Sequence, residues 1–153
     1  MADISIRLAR ADETDILTDI AMLSKQSVGY DDAFMAACAD ELRVTPALLA
    51  KNDHWVAEAD TPCGFISLAV DEGGEKGVLD SLFIHPDWQK KGVGRRLWDI
   101  LLVEARARNL RELRLDSDPK AEHFYSSLGF TTISRAPSGS IPGRTLPHMT
   151  IVL

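Results

Sequence analysis

Cysteine is scarce in this chain, and the two present form no pattern. Cys38 and Cys63 are isolated thiols without metal-type spacing, which fits a reducing, cytoplasmic compartment. The histidines at 54, 85, 123 and 148 are scattered too, with no HExxH or similar ligand spacing, so no metal is expected. Long apolar runs are missing: nothing approaches the roughly 20 residues that cross a bilayer. The opening Met1-Ala2-Asp3-Ile4-Ser5-Ile6-Arg7 lacks the basic-then-apolar pattern of a leader. A cationic excess is absent as well; the formal charge of −6 argues against a nucleic-acid partner, which needs a basic face. No G-x-S-x-G elbow precedes a serine, and neither cysteine sits in an electropositive turn, so no covalent nucleophile is apparent. Without repeats or low-complexity segments, the 153 residues read as one domain, 1–153.

What is present is an alternation of strands and helices. Residues 4–10 alternate apolar and polar and predict a first strand. Asp12 is placed to cap a helix whose apolar face is Ile16, Leu17, Ile20 and Leu23, and Gly29 breaks it. A second helix over 32–42 turns Phe34, Met35, Cys38 and Leu42 inward, and Thr45-Pro46 opens a short third one. Residues 54–59 and 64–70 predict a hairpin, followed by a strand over 78–84. A long helix over about 92–109 carries Leu97, Trp98, Leu101, Leu102 and Ala105, and leads to a strand at Leu113 and Leu115. Strand, helix, strand implies a parallel pair with a right-handed crossover. Asp118-Pro119 begins a last helix that Gly129 ends, and 130–135 and 149–153 are final strands. Between them, 136–147 is long for a hairpin connection; it serves as a surface loop or, stiffened by three prolines, as a pocket wall.

The most informative stretch is Gln89-Lys90-Lys91-Gly92-Val93-Gly94-Arg95, between the 78–84 strand and the long helix. A helix start presents unpartnered amides and the positive end of the macrodipole. Two glycines let backbone approach a ligand, and Lys90, Lys91, Arg95 and Arg96 add charge. Together these describe an anion cradle, most naturally for a pyrophosphate. A plain connector with a solvated basic rim is the alternative. The ATP-type loop is excluded because Arg95 follows Gly94, and the dinucleotide fingerprint because Leu97 occupies its third small position.

Leu82-Phe83-Ile84-His85-Pro86-Asp87-Trp88-Gln89-Lys90-Lys91-Gly92-Val93-Gly94 resembles the acetyl-CoA motif of the GNAT superfamily of N-acetyltransferases, L-x-V-x-P leading into Q/R-x-x-G-x-G/A. Ala121-Glu122-His123-Phe124-Tyr125-Ser126-Ser127-Leu128-Gly129-Phe130 resembles that family's A-x-x-F-Y-x-x-x-G-F. The resemblance implies an α/β fold of α+β type: a twisted mixed sheet of about 6–7 strands, mostly antiparallel with one parallel pair, flanked by helices. It implies acetyl-CoA as co-substrate, direct acetyl transfer to a primary amine of a small molecule or peptide, and allows a homodimer. It further implies that Gln89, Lys90, Lys91, Gly92, Val93, Gly94 and Arg95 hold the pyrophosphate, that Ile84 pairs with the pantetheine arm, and that the backbone N–H of Leu82 faces the thioester oxygen. Where the family often carries Asn, this chain has Lys120, a cation placed to reach a phosphate instead.

Tyr125 is the candidate general acid: a phenol of pKa near 10 holds its proton beside a thiolate of pKa near 8.5. An aromatic there also serves as ordinary core. A lysine-like acceptor is only about one part in 2,500 neutral at pH 7, so a route for its proton is wanted. Asp80, a carboxylate in an apolar strand where burial would raise its pKa, is the first candidate base, and Glu58 the second; His85 and His123 read as exposed or packed. Two other classes use the same turn: a non-catalytic CoA-binding sensor and a nucleotide-binding regulator.

Overall fold

The structure, a computed structural model, describes residues 3–153; Met1 and Ala2, the first residues of the N-terminal stretch 1–7, lie outside the described residues. Its seven described strands form one sheet: β1 (Ser5–Leu8), β2 (Asp53–Glu58), β3 (Pro62–Val70), β4 (Lys76–Ile84), β5 (Glu112–Asp116), β6 (Thr131–Pro137) and β7 (Thr145–Val152). They lie in the order β1-β2-β3-β4-β5-β7-β6. Only β4 and β5 are parallel; every other pair is antiparallel. This is the mixed sheet that the resemblance implied. The helices are α1 (Thr14–Gln26), α2 (Asp32–Leu42), α3 (Pro46–Lys51), α4 (Val93–Ala107) and α5 (Glu122–Ser127). No helix among the described residues is long and apolar enough to cross a membrane.

Side chains alternate across a strand, so β2 and β3 feed two cores at once. Trp55, Ala57, Ile66 and Leu68 face α4, against Leu97, Trp98, Leu101 and Ala105. Val56 and Phe65 face the other way, onto Leu17, Ile20 and Ala21 of α1 and Met35 and Cys38 of α2. Each large side chain buried this way contributes about 1.5–3 kcal/mol. The same double burial explains why β2 and β3 read as near-continuous apolar runs.

Several expectations shift. Asp12 does not cap α1; the residues 11–13 form a 3-10 turn, and Glu13 accepts the Arg10 N–H at 2.7 Å. Ile16 and Leu23 are exposed, and the buried face is Leu17, Ile20 and Ala21. The β6–β7 connection is shorter than 136–147, since β6 runs to Pro137 and β7 begins at Thr145. Proline argues against a strand, but Pro147 sits where a missing N–H is harmless: its carbonyl still accepts from Ser117 N–H at 2.9 Å, beyond the end of β5.

Arg7 on β1 clamps two carboxylates, Glu13 at 2.7 Å and Glu58 at 3.0 Å. Its hydrogen bonds hold the Glu13 carboxyl below the usual carboxylate range. We expect Arg7→Met to lower stability by about 1–3 kcal/mol, because a nearly buried Glu13 is left without its cation. A depressed carboxyl stabilises above its unfolded pKa and loses that effect as pH falls. Urea midpoints measured below about pH 5 should therefore decline less steeply for the variant than for the native chain.

Candidate active site

β4 and β5 pair only from Lys76 to Val78, opposite Glu112 to Arg114. Beyond that point the parallel strands part. His85 N–H bonds to Cys63 carbonyl on β3 at 2.8 Å. Alternation along the strand then turns the N–H groups of Leu82 and Ile84 to the opposite edge, the one β5 no longer covers. An open strand edge facing a gap is what an extended amide-bearing arm can pair with. A bulge interrupts β4 on its other edge, against β3: Ser81 faces Ser67 and Leu79 faces Leu68, so Asp80 is the extra residue.

At one end of the gap lies the turn into α4. Helices α2 and α3 begin on capping side chains, Asp31 and Thr45, but α4 begins on Gly92 with no side-chain cap and no acidic residue in its first turn. Its amides are thus left for a ligand, beside exposed Lys90, Lys91, Arg95 and Arg96. Gly92 has φ 81°, a left-handed conformation that glycine adopts without strain. The Gln89 side-chain amide donates to the Ile84 carbonyl and to Ser27 Oγ, both at 3.2 Å, bracing the turn. Lys91 is drawn over the Trp88 ring, at 5.2 Å.

At the other end lies Tyr125. It is buried, held edge-on between Phe124 and Phe130, and it lines a cavity of about 530 Å³ with Leu82, Asp80 and His54. Burial first, and the charge of Asp118 second, push its pKa well above the ordinary value near 10. The phenol therefore stays protonated at any physiological pH.

The proposed bases fare less well. Asp80 lines the cavity but is exposed, not buried as its apolar strand suggested. The bulge turns it out of the apolar strand. Glu58 is bound to Arg7, which holds its carboxyl below the usual range and in ion-pair use. His123 is exposed, and His85 accepts the Asp87 N–H through Nδ1. Sequence reasoning passed over His54, which is buried on the cavity wall. Its Nδ1 lies 3.1 Å from the Asn52 carbonyl, and burial lowers its pKa, so it is neutral at pH 7 with Nε2 as acceptor.

Lys120 lies on the cavity wall. Its ammonium donates to the Val28 carbonyl at 2.8 Å and sits 4.4 Å from the Tyr30 ring centre, on the central cavity and not among the cradle residues. It belongs to a cluster the sequence did not reveal. Asp118 accepts from Lys25 at 3.1 Å, Tyr30 at 2.9 Å and Arg144 at 3.3 Å, joining α1, the α1–α2 loop and the β6–β7 loop across up to 93 residues of chain. Burial raises the Asp118 carboxyl, but hydrogen bonds from the Lys120 N–H and Lys25 outweigh it and leave the pKa low. Pro137, Ser138, Gly139 and Arg144 line the cavity, so the β6–β7 connection is a pocket wall.

A sheet parted between two parallel strands, helix-start amides without a side-chain cap and a buried phenol sharing a cavity with Leu82 together suit an acyltransferase. Residues 21–152 match the family described as the acetyltransferase (GNAT) domain. The chain belongs to the GNAT family and is an N-acetyltransferase. Among its relatives, the peptidyl-lysine N-acetyltransferase YjaB of Escherichia coli (strain K12) is 31% identical over 87% of this chain and 86% of its own. The L-amino acid N-acyltransferase MnaT of the same organism is 28% identical over 93% of this chain and 88% of its own. The crystal structure of the PaiA N-acetyltransferase from Thermoplasma acidophilum, in complex with coenzyme A, superposes with a TM-score of 0.81 at 21% identity, over 99% of both chains.

Proposed function

We propose that this chain is a single cytoplasmic domain, 1–153, that transfers acetyl from acetyl-CoA directly to the primary amine of an amino-acid or peptide acceptor. The observation that carries the reading is that the open Leu82 edge and Tyr125 share one cavity. One sheet linking β1 to β7 supports a single domain, and free thiols at Cys38 and Cys63 support the compartment. The residues fit the co-substrate: uncapped amides of 92–95 for the diphosphate, the Ile84 N–H for the arm, and no β-carbon at Gly92 or Gly94 to fill the cradle.

Acetyl-CoA supplies a thioester whose carbonyl carbon accepts the amine. Leu82 N–H donates to the carbonyl oxygen as charge develops there; a single such donor contributes about 3–4 kcal/mol in a preorganised site. Tyr125 gives its proton to the departing sulfur. Asp80 and neutral His54 stand where the proton of the incoming ammonium can leave, directly or through water.

Thermal melts and thiol release test this. At 100 times its Kd, acetyl-CoA should stabilise the fold by about 2.7 kcal/mol, roughly 5–10 °C in Tm, and ATP or NAD should do less. A larger shift with a nucleotide, or saturable acetyl-CoA binding without thiol release on any amine, would defeat the reading.

A further inference from the structure

The cluster around Asp118 is not neutral. Lys25 and Arg144 share a single carboxylate, Tyr30 uses part of that carboxylate for its own hydroxyl, and the Lys120 ammonium stands nearby over the Tyr30 ring without an anionic partner among the described residues. The side chains of Lys25 and Arg144 are only 15% and 16% exposed, so bulk water screens them poorly. Two cations converge on the same oxygen, Asp118 Oδ2. Assembling two positive charges on one negative charge in a half-buried wall is unfavourable unless another anion completes the set.

Arg144 shows where that anion fits. Its guanidinium lies against the stacked rings of Tyr30 and Phe34, 5.4 and 4.9 Å from their centres. Only Nη2 is engaged within the chain, by Tyr30 and Asp118. No buried side-chain nitrogen among the described residues lacks a partner, so the remaining donors, on Nη1 and Nε, face open space. Arg144 lines the cavity that holds Tyr125 and Leu82. Glu41 and Asp80 line it too, and neither is paired with Lys25, Lys120 or Arg144. The wall therefore has a cationic part and separate carboxylates.

We infer that the acceptor carries a carboxylate that binds to Arg144 and Lys25, so that the substrate is a free amino acid presenting its amine to the thioester and its acid group to this cluster. This rests on the acetyl-transfer reading above and narrows it: a lysine side chain within a protein, or a simple amine, lacks the group the cluster needs. Arginine suits the task because its planar donors match a carboxylate in two places.

The test is a series of acceptors at saturating acetyl-CoA, followed by thiol release. The free L-amino acids are compared with their primary carboxamides, with the corresponding decarboxylated amines, and with a lysine peptide blocked at both ends. Loss of a charged hydrogen-bonding partner should lower kcat/KM about 10- to 100-fold from acid to carboxamide. Arg144→Gln should raise KM for the best amino acid by a similar factor and bring the acid-to-amide ratio towards one. Arg144→Lys should recover part of it. Calorimetry should give both variants the native Kd for acetyl-CoA. Carboxamides, amines or the peptide serving as well as the acids would overturn the inference and leave acetyl transfer standing. So would a weakened acetyl-CoA Kd in Arg144→Gln with an unchanged acceptor preference, which would give the cluster to a cofactor phosphate. Should Arg144→Gln fail to fold by thermal melt, the acceptor series on the native chain decides alone. A native chain that binds no acetyl-CoA by calorimetry would bring down the underlying reading, and this one with it.

Discussion

Tyr125→Phe is expected to lower kcat about 100-fold or more, within the range for removing a positioned general acid, with little change in the Kd of acetyl-CoA. The substitution removes one oxygen and keeps the ring. Phe124 and Phe130 pack on that ring at 5.3 and 5.9 Å, so the core contact survives. The hydroxyl lines the cavity, so its loss orphans no buried partner within the chain. Thermal stability should accordingly be unchanged. The pH profile provides a second check. Because burial and Asp118 hold the phenol well above pKa 10, kcat/KM should climb as the acceptor amine deprotonates and show no descending limb below about pH 10. A variant within about threefold of native kcat would return Tyr125 to the role of core aromatic, since even the weakest general acids contribute far more.

The second large effect is at the cradle. Gly94→Asp should weaken acetyl-CoA about 100-fold or more while leaving the fold as stable as before, or slightly more so. A β-carbon there would meet Phe124 Cζ at 3.5 Å and Phe124 Cε1 and Ile84 Cγ1 at 3.9 Å, all ordinary contact distances. Aspartate in the first turn of an uncapped helix is favourable, by about 0.3–1 kcal/mol, and replacing glycine inside a helix adds to that. The same charge is placed against a diphosphate, where each unit pair at about 4 Å costs several kcal/mol under partial screening. Stability and affinity should thus move in opposite directions, which calorimetry and a melt resolve on one sample. An unchanged Kd would mean that these amides do not hold the diphosphate.

The elements were legible where local chemistry acts alone. The α2 range 32–42, the Thr45 cap, the Gly129 stop and the glycine turn at 92–94 follow from propensity and backbone geometry, and the structure has them there. Errors fell where a neighbour far along the chain decides the outcome. Pro147 looked like a loop residue because a strand proline lacks a donor, yet the strand beside it ends at Asp116 and needs none. Asp80 looked buried because its strand is apolar, yet the mismatch of β4 against β3 makes it the bulged residue and turns it outward. Leu23 looked inward by helical period, yet the packing of α1 selects Ala21.

By itself the sequence determined the ingredients of cofactor binding, since strand, glycine turn, helix start and basic rim are contiguous and their geometry is local. It also determined that a phenol on α5 would be available. Only the tertiary structure decided that β4 and β5 part after Val78, that His54 joins the cavity, and that Lys25, Tyr30 and Arg144 meet on Asp118. Those groups lie tens of residues apart, so no spacing encodes their encounter. It arises from the sheet order, which brings the ends of β5, α1 and the β6–β7 loop to the same side of one gap.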